Sequence, residues 1–146
     1  MKKELSTKMN SYLANIAVEY VKLHNLHWNV VGGQFKAVHE YLETLYDALS
    51  DMLDAIAEAL KMNGEIPLAN MKDYLAAATV KELDSAEMNV KQVLEITLAD
   101  MELLKQQAED IRREAADEDN YSISNLMESD LENYAKTIWF LNSMLK

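Results

Sequence analysis

The chain has no cysteine, one proline, three glycines and two phenylalanines in 146 residues. Without cysteine there are no disulfides and no thiolate metal sites, and a reducing compartment suits such a chain. So little glycine and proline leaves few residues for the many tight turns of an all-β fold. Positive charge is also scarce: 14 Lys and Arg stand against 25 Asp and Glu, a formal charge of −11. Affinity for nucleic acid comes largely from neutralising phosphates with basic side chains, so a body of this sign is repelled by DNA. The one stretch of opposite tendency, Met1 to Lys8, holds Lys2, Lys3 and Lys8 but also Glu4, and it is short. DNA binding is therefore expected to be weak. No apolar run approaches the roughly 20 residues of a membrane span, and the first residues lack an apolar signal core. The expectation is a soluble, cytoplasmic protein with no membrane partner.

Apolar residues make up 49% of the chain and charged ones 27%, the balance of a single globular domain over residues 1–146. They recur at helical spacing in four long stretches. The first runs from about Leu5 to Val30 and is ended by Gly32-Gly33, since glycine tolerates the left-handed conformation that closes a last turn. The second runs from about Phe35 to Met62, with Asn63-Gly64 as its stop. The third, from about Ala86 to Glu114, follows Asp84 and Glu87 at capping-box spacing. The polar segment AADEDNYSIS separates it from the fourth, roughly Asn125 to Leu145. A short helix over Asn70–Ala78 breaks the long middle connection, which would otherwise be unusually long for a structureless loop. Four long helices joined short, long, short give an all-α fold, a four-helix bundle with one crossover of ferritin-like topology.

The three histidines, His24, His27 and His39, lie around the Gly32-Gly33 break. His27 and His39 are each about six residues from it, so in an antiparallel hairpin their imidazoles sit at one height. A satisfied core histidine is the plainer reading of His27, which lies on the apolar stripe. On the second helix His39 and Glu43 are i,i+4 partners, and so are Asp54 and Glu58, set among Leu53, Ala55, Ile56, Ala57, Ala59 and Leu60. Carboxylates in so apolar a stretch are costly to bury unless paired or metal-bound, although a solvated edge or a salt-bridge network also accommodates them. Fifteen residues separate His39 from Asp54, about 22 Å of helix. Metal–ligand bonds are about 2 Å long, so one chain cannot bring both groups to one ion. Two copies of the second helix packed antiparallel about a two-fold near Tyr46 and Asp47 would bring them together, and a site of this kind excludes a monomer. The Glu-x-x-His pairs of single-chain di-iron bundles are absent, as are phosphate-loop and zinc-finger motifs.

The segment HNLHWNVVGGQFKAVHEYLETLYDALSDMLDAIAEAL, together with KTIW near the end of the chain, resembles the signature of the Dps family, the miniature ferritins of starved or peroxide-stressed bacteria. The resemblance covers nearly the whole chain, including the short crossover helix. It implies a hollow dodecamer built from two-fold dimers that oxidises Fe(II), preferentially with hydrogen peroxide, stores Fe(III) as mineral and protects against oxidative stress. It further implies a ferroxidase centre, with room for two irons, between two-fold-related subunits. Carried over by position, His27 and His39 come from one subunit and Asp54 and Glu58 from its mate, with Glu43 a further metal ligand where many members have Asp. Trp28 matches a family tryptophan beside the centre, where it packs or intercepts a stray radical.

Besides Glu43, the sequence departs from the family at three places. Ala59 replaces an arginine that often follows the Ala57-Glu58 pair, removing an ion pair. Ala116 and Asn125 fall where aspartates often line the three-fold pores, leaving Asp117 and Asp119 to guide cations. Twelve chains would carry roughly −130 formal charges, a field that favours cation uptake. Two further readings compete with the iron-oxidising cage: a DNA-binding, DNA-compacting protein, and a cage with weakened ferroxidase activity.

Overall fold

The computed structural model describes residues 1–146 throughout. Five helices account for most of the chain: α1 (Lys3–Asn29), α2 (Phe35–Met62), α3 (Met71–Ala77), α4 (Val90–Asp117) and α5 (Tyr121–Leu145). The long four form the expected bundle, and α3 is the expected short helix in the crossover. None is long and apolar enough to cross a membrane. Along α2, Val38, Leu42, Leu45, Leu49, Met52, Ile56 and Leu60 are buried, a stripe at helical spacing. They meet Leu5, Met9, Leu13, Ile16, Leu23 and Leu26 of α1 and the inner faces of α4 and α5 in one core.

Helix α2 ends as its Asn63-Gly64 signal predicts. Gly64 sits at φ +81°, and the Glu65 amide reaches back to the Leu60 carbonyl at 3.0 Å, closing the last turn. The end of α1 differs from expectation. Its helix stops at Asn29, and Val30–Val31 run extended as β1, paired in parallel with β2, Met88–Asn89. Gly32, at φ +122°, therefore serves the turn into α2 and does not cap α1.

The same two-residue pairing delays the third long helix. Because Met88 and Asn89 are held extended against Val30 and Val31, α4 cannot begin at Ala86. The working capping box is Asn89 with Gln92: the Asn89 side chain accepts the Gln92 amide at 2.9 Å, and the Gln92 side chain accepts the Asn89 amide at 3.3 Å. The Asp84/Glu87 box does not form. At the other end α4 runs on to Asp117, and α5 begins four residues earlier than expected, at Tyr121. A sharp reversal through Asp119 at φ +56° and an Asn120 side chain that caps Ile123 make this possible.

Three asparagines of α1 fasten the crossover along the bundle. Asn10 accepts the Leu68 amide at 2.9 Å, and Asn25 donates to the carbonyls of Leu83 and Asp84. Asn15, fully buried, accepts the Thr79 and Val80 amides and donates to Thr79 Oγ1 and Gln107 Oε1. The crossover thus runs parallel to α1 and delivers α4 beside the α1–α2 turn, where the histidines are.

Candidate metal centre

Helices α1 and α2 leave the β1 turn antiparallel, which brings His27 and His39 to one height. Their rings stack with centroids 3.7 Å apart and planes within 11°. Each ring bonds the other residue's backbone: His27 Nδ1 lies 2.6 Å from the His39 carbonyl and His39 Nδ1 lies 2.7 Å from the His27 carbonyl. A carbonyl oxygen only accepts, so both Nδ1 atoms carry the proton. In neutral imidazole that leaves both Nε2 lone pairs free, the state in which histidine binds a metal. The reciprocal pair is a preformed two-pronged donor. His27 is buried and polar, as the core reading also requires, yet its second nitrogen has no hydrogen bond that would make it a satisfied core group.

Glu43, one turn beyond His39, reaches to 4.0 Å from His27 Nε2. That separation is about twice a metal–ligand bond, so an ion midway would be in bonding range of both atoms. The Tyr46 hydroxyl donates to the same Glu43 carboxylate at 3.3 Å, and the Tyr46 ring stands edge-on to His27 at 5.3 Å. His24 makes its own Nδ1 bond to the Tyr20 carbonyl at 2.7 Å and stacks on Tyr46 at 3.8 Å. His24 and Tyr46 thus form an aromatic wall that the spacing of metal-ligand types did not reveal. The signal was available: Tyr20, His24, His27 and Trp28 share one side of α1 at three- and four-residue steps.

Asp54 and Glu58 lie at the far end of α2, both exposed in the isolated chain. The neighbouring Asp54 carboxylate raises the pKa of Glu58, first through a hydrogen bond and then through charge repulsion. Two carboxylates held one above the other make a site that a divalent cation would relieve. Within one chain, no three His, Asp or Glu side chains converge on a single ion position. His39, Glu43, Asp47, Asp54 and Glu58 instead follow one another down the outer face of α2, opposite its buried stripe. Beside the histidines, Trp28 is 67% exposed and Phe35 40% exposed, so the expected packing role of Trp28 is not fulfilled inside this chain.

Of the departures, Ala59 is buried in the core. Ala116, Asp117, Asp119 and Asn125 are all exposed around the α4–α5 turn. At the basic start of the chain α1 begins at Lys3, and one of the three lysines, Lys8, pairs with Glu114 at 2.6 Å and with Glu4 at 3.8 Å.

Comparison with known proteins supplies a context for this geometry. The sequence profile of the ferritin-like domain matches residues 7–146. General stress protein 20U of Bacillus subtilis is 36% identical over an alignment of 149 positions that covers 99% of each chain. The DNA protection during starvation protein of Brevibacillus brevis is 34% identical over 140 positions, covering 94% of this chain and 92% of its own. Among solved structures, antigen TpF1 of Treponema pallidum superposes with a TM-score of 0.96 at 31% identity, over 98% of this chain and 92% of that one. A Vibrio cholerae Dps protein, described as a member of a broad superfamily of ferritin-like diiron-carboxylate proteins, superposes at 0.94 with 28% identity, over 99% of this chain and 90% of its own.

Proposed function

The chain belongs to the Dps family of ferritin-like proteins, and so to proteins of iron storage and protection, and we propose that it oxidises Fe(II) at a centre shared between two-fold-related subunits. One observation carries this reading. His27 and His39 present two free Nε2 atoms at one end of the outer face of α2, and Asp54 and Glu58 present a repelling carboxylate pair at the other. About 22 Å of helix keeps the two halves apart in one chain. An antiparallel α2 from a second copy completes both at once.

In this reading Fe(II) is the substrate. His27 and His39 bind it from one subunit, with Glu43 in reach, and Asp54 and Glu58 of the partner subunit supply the negative charge that draws the cation in. Imidazole and carboxylate together suit iron. Few protein ligands per ion leave positions for the oxidant, which we take to be hydrogen peroxide. Two Fe(II) ions each give one electron, the O–O bond breaks, and with two protons two waters form. Hydroxyl radical, the one-electron product, is thereby avoided. Trp28 and Phe35, exposed beside the histidines, are the apolar rim that a partner subunit covers. A dodecameric cage in the cytoplasm, with the Fe(III) mineral inside, completes the proposal. The acidic body and the ion-paired Lys8 favour this reading over DNA compaction.

The test is stopped-flow oxidation of Fe(II) by peroxide. The combined variant His27→Ala, His39→Ala, Asp54→Ala, Glu58→Ala is expected to lose the rapid phase, and wild-type rates in that variant overturn the assignment. A gel shift at low salt decides the DNA reading, for which strong, salt-sensitive binding is required.

A further inference from the structure

Far from the candidate centre, the bundle core holds a second set of groups of a kind that cores usually exclude. Tyr12 on α1 is fully buried, and its hydroxyl lies 2.9 Å from Asp130 Oδ2 and 2.6 Å from the Tyr134 hydroxyl, both on α5. Asp130 and Tyr134 are also buried, at 3% and 2% exposure. Proton counting gives the cluster a direction. Ionised Asp130 only accepts, so the single Tyr12 proton points to it, and the Tyr134 proton must then point to the Tyr12 oxygen. The order is Tyr134 to Tyr12 to Asp130.

We propose that Tyr12 is a redox-active tyrosine, which gives one electron to a one-electron oxidant while its phenolic proton passes along the existing hydrogen bond to Asp130. Taking hydroxyl radical as the oxidant, the radical gains the electron and becomes hydroxide. Tyr12 becomes a neutral phenoxyl radical, and the Asp130 carboxylate becomes a carboxylic acid. Charge and protons balance without exchange with solvent, which a residue at 0% exposure does not have. The Tyr134 hydroxyl remains as donor to the phenoxyl oxygen and stabilises it.

The surroundings fit this role. Burial first, and then the neighbouring charges, push the Tyr12 hydroxyl well above its ordinary pKa, so it does not lose a proton by itself; loss is coupled to loss of the electron. Burial also raises Asp130, to about 6, which makes it a stronger base than an ordinary aspartate while leaving it mostly ionised at neutral pH. A route for the electron exists. Tyr20 is eight residues from Tyr12 on α1, about 12 Å of rise, and its ring is 6.1 Å from that of Tyr46. Tyr46 in turn is 5.3 Å from His27. An oxidising equivalent arising near the histidines would reach the core in two short steps, to Tyr46 and to Tyr20, and one longer step of about 12 Å along α1. The step needs no bound iron and stands apart from the ferroxidase reading.

The experiment uses metal-free full-length protein, oxidised by flash-generated ruthenium(III) tris-bipyridine and trapped for electron paramagnetic resonance. The expected result is a neutral tyrosyl signal that outlives that of free tyrosine, is lost in Tyr12→Phe, and is lost or shortened in Asp130→Asn. A purely structural role for the cluster would lower stability in Tyr12→Phe and leave the signal unchanged, and that outcome overturns the proposal. So does the absence of a long-lived signal in the wild type. Should Tyr12→Phe fail to fold, Tyr134→Phe decides, since it keeps Tyr12 and its acceptor. The signal must persist with its largest g value raised by loss of the donated hydrogen bond, and an unchanged g value counts against Tyr12.

Discussion

A buried carboxylate loses hydration that its partners must replace. Asp130 has the Tyr12 hydroxyl at 2.9 Å, yet burial still lifts its pKa from 3.8 to about 6. Below both values the group is neutral in folded and unfolded chains alike. As pH rises through this interval the unfolded chain releases the proton while the folded chain keeps it, so stability falls until the folded pKa is passed, and is flat above. Asparagine cannot ionise. The effect of Asp130→Asn is therefore expected to be more favourable at about pH 8 than at about pH 3, by about 3 kcal/mol. Urea melts at the two pH values measure the difference, and equal effects at both would show that Asp130 is not the titrating group. Glu19 follows the same sign. It is fully buried, neither carboxylate oxygen finds a donor, and burial and the neighbouring Asp100 raise its pKa well above the ordinary value. A proton on Glu19 lets it donate to Asp100, whose charge is answered by Lys22 at 2.8 Å.

The crossover between α2 and α4 depends on side chains of α1 more than on structure of its own. Helix α3 has no buried residue, and the segment following it is held where Asn15 takes the amides of Thr79 and Val80. Replacing Asn15 by Ala strands the buried Val80 amide and unpairs the Thr79 amide and Gln107, and is expected to cost about 2 kcal/mol. Calorimetry reads the loss. Limited proteolysis should find new cleavage between residues 78 and 89, and an unchanged digestion pattern would mean that other contacts hold the segment. Asn89→Ala removes the capping box at the start of α4 and is expected to cost about 1 kcal/mol, visible in thermal melts. Its influence on Asp84 and Glu87 should be nil, because those residues cap nothing.

A site divided between copies makes a prediction that no intrachain site shares. Let one chain lack the histidines (His27→Ala, His39→Ala) and another lack the acids (Asp54→Ala, Glu58→Ala). Each homodimer is dead, since every site misses one half. In a mixed dimer one site misses both halves and the other is intact. Random pairing after co-refolding equal amounts restores about a quarter of the wild-type sites. Peroxide-driven Fe(II) oxidation in the mixture measures this directly, and no recovery in a mixture shown by mass spectrometry to contain mixed dimers would exclude the shared centre.

Helix rise and period are local properties, set by each residue's neighbours in the chain. The sequence by itself therefore determined the four long helices, the stop at Asn63-Gly64, and the distance that divides His27 and His39 from Asp54 and Glu58. It could not select between Asp84/Glu87 and Asn89/Gln92, which share one spacing, because the choice is made by Met88 and Asn89 pairing with Val30 and Val31. Nor could it show that His27 and His39 lock each other's tautomers through their carbonyls, or that Tyr12 meets partners 118 and 122 residues away. Asp100 and Asp130 look like ordinary surface acids in a helical pattern, yet both are buried. Only tertiary packing decides such meetings, since it determines which polar groups lose water together and must answer one another's charges and hydrogen bonds.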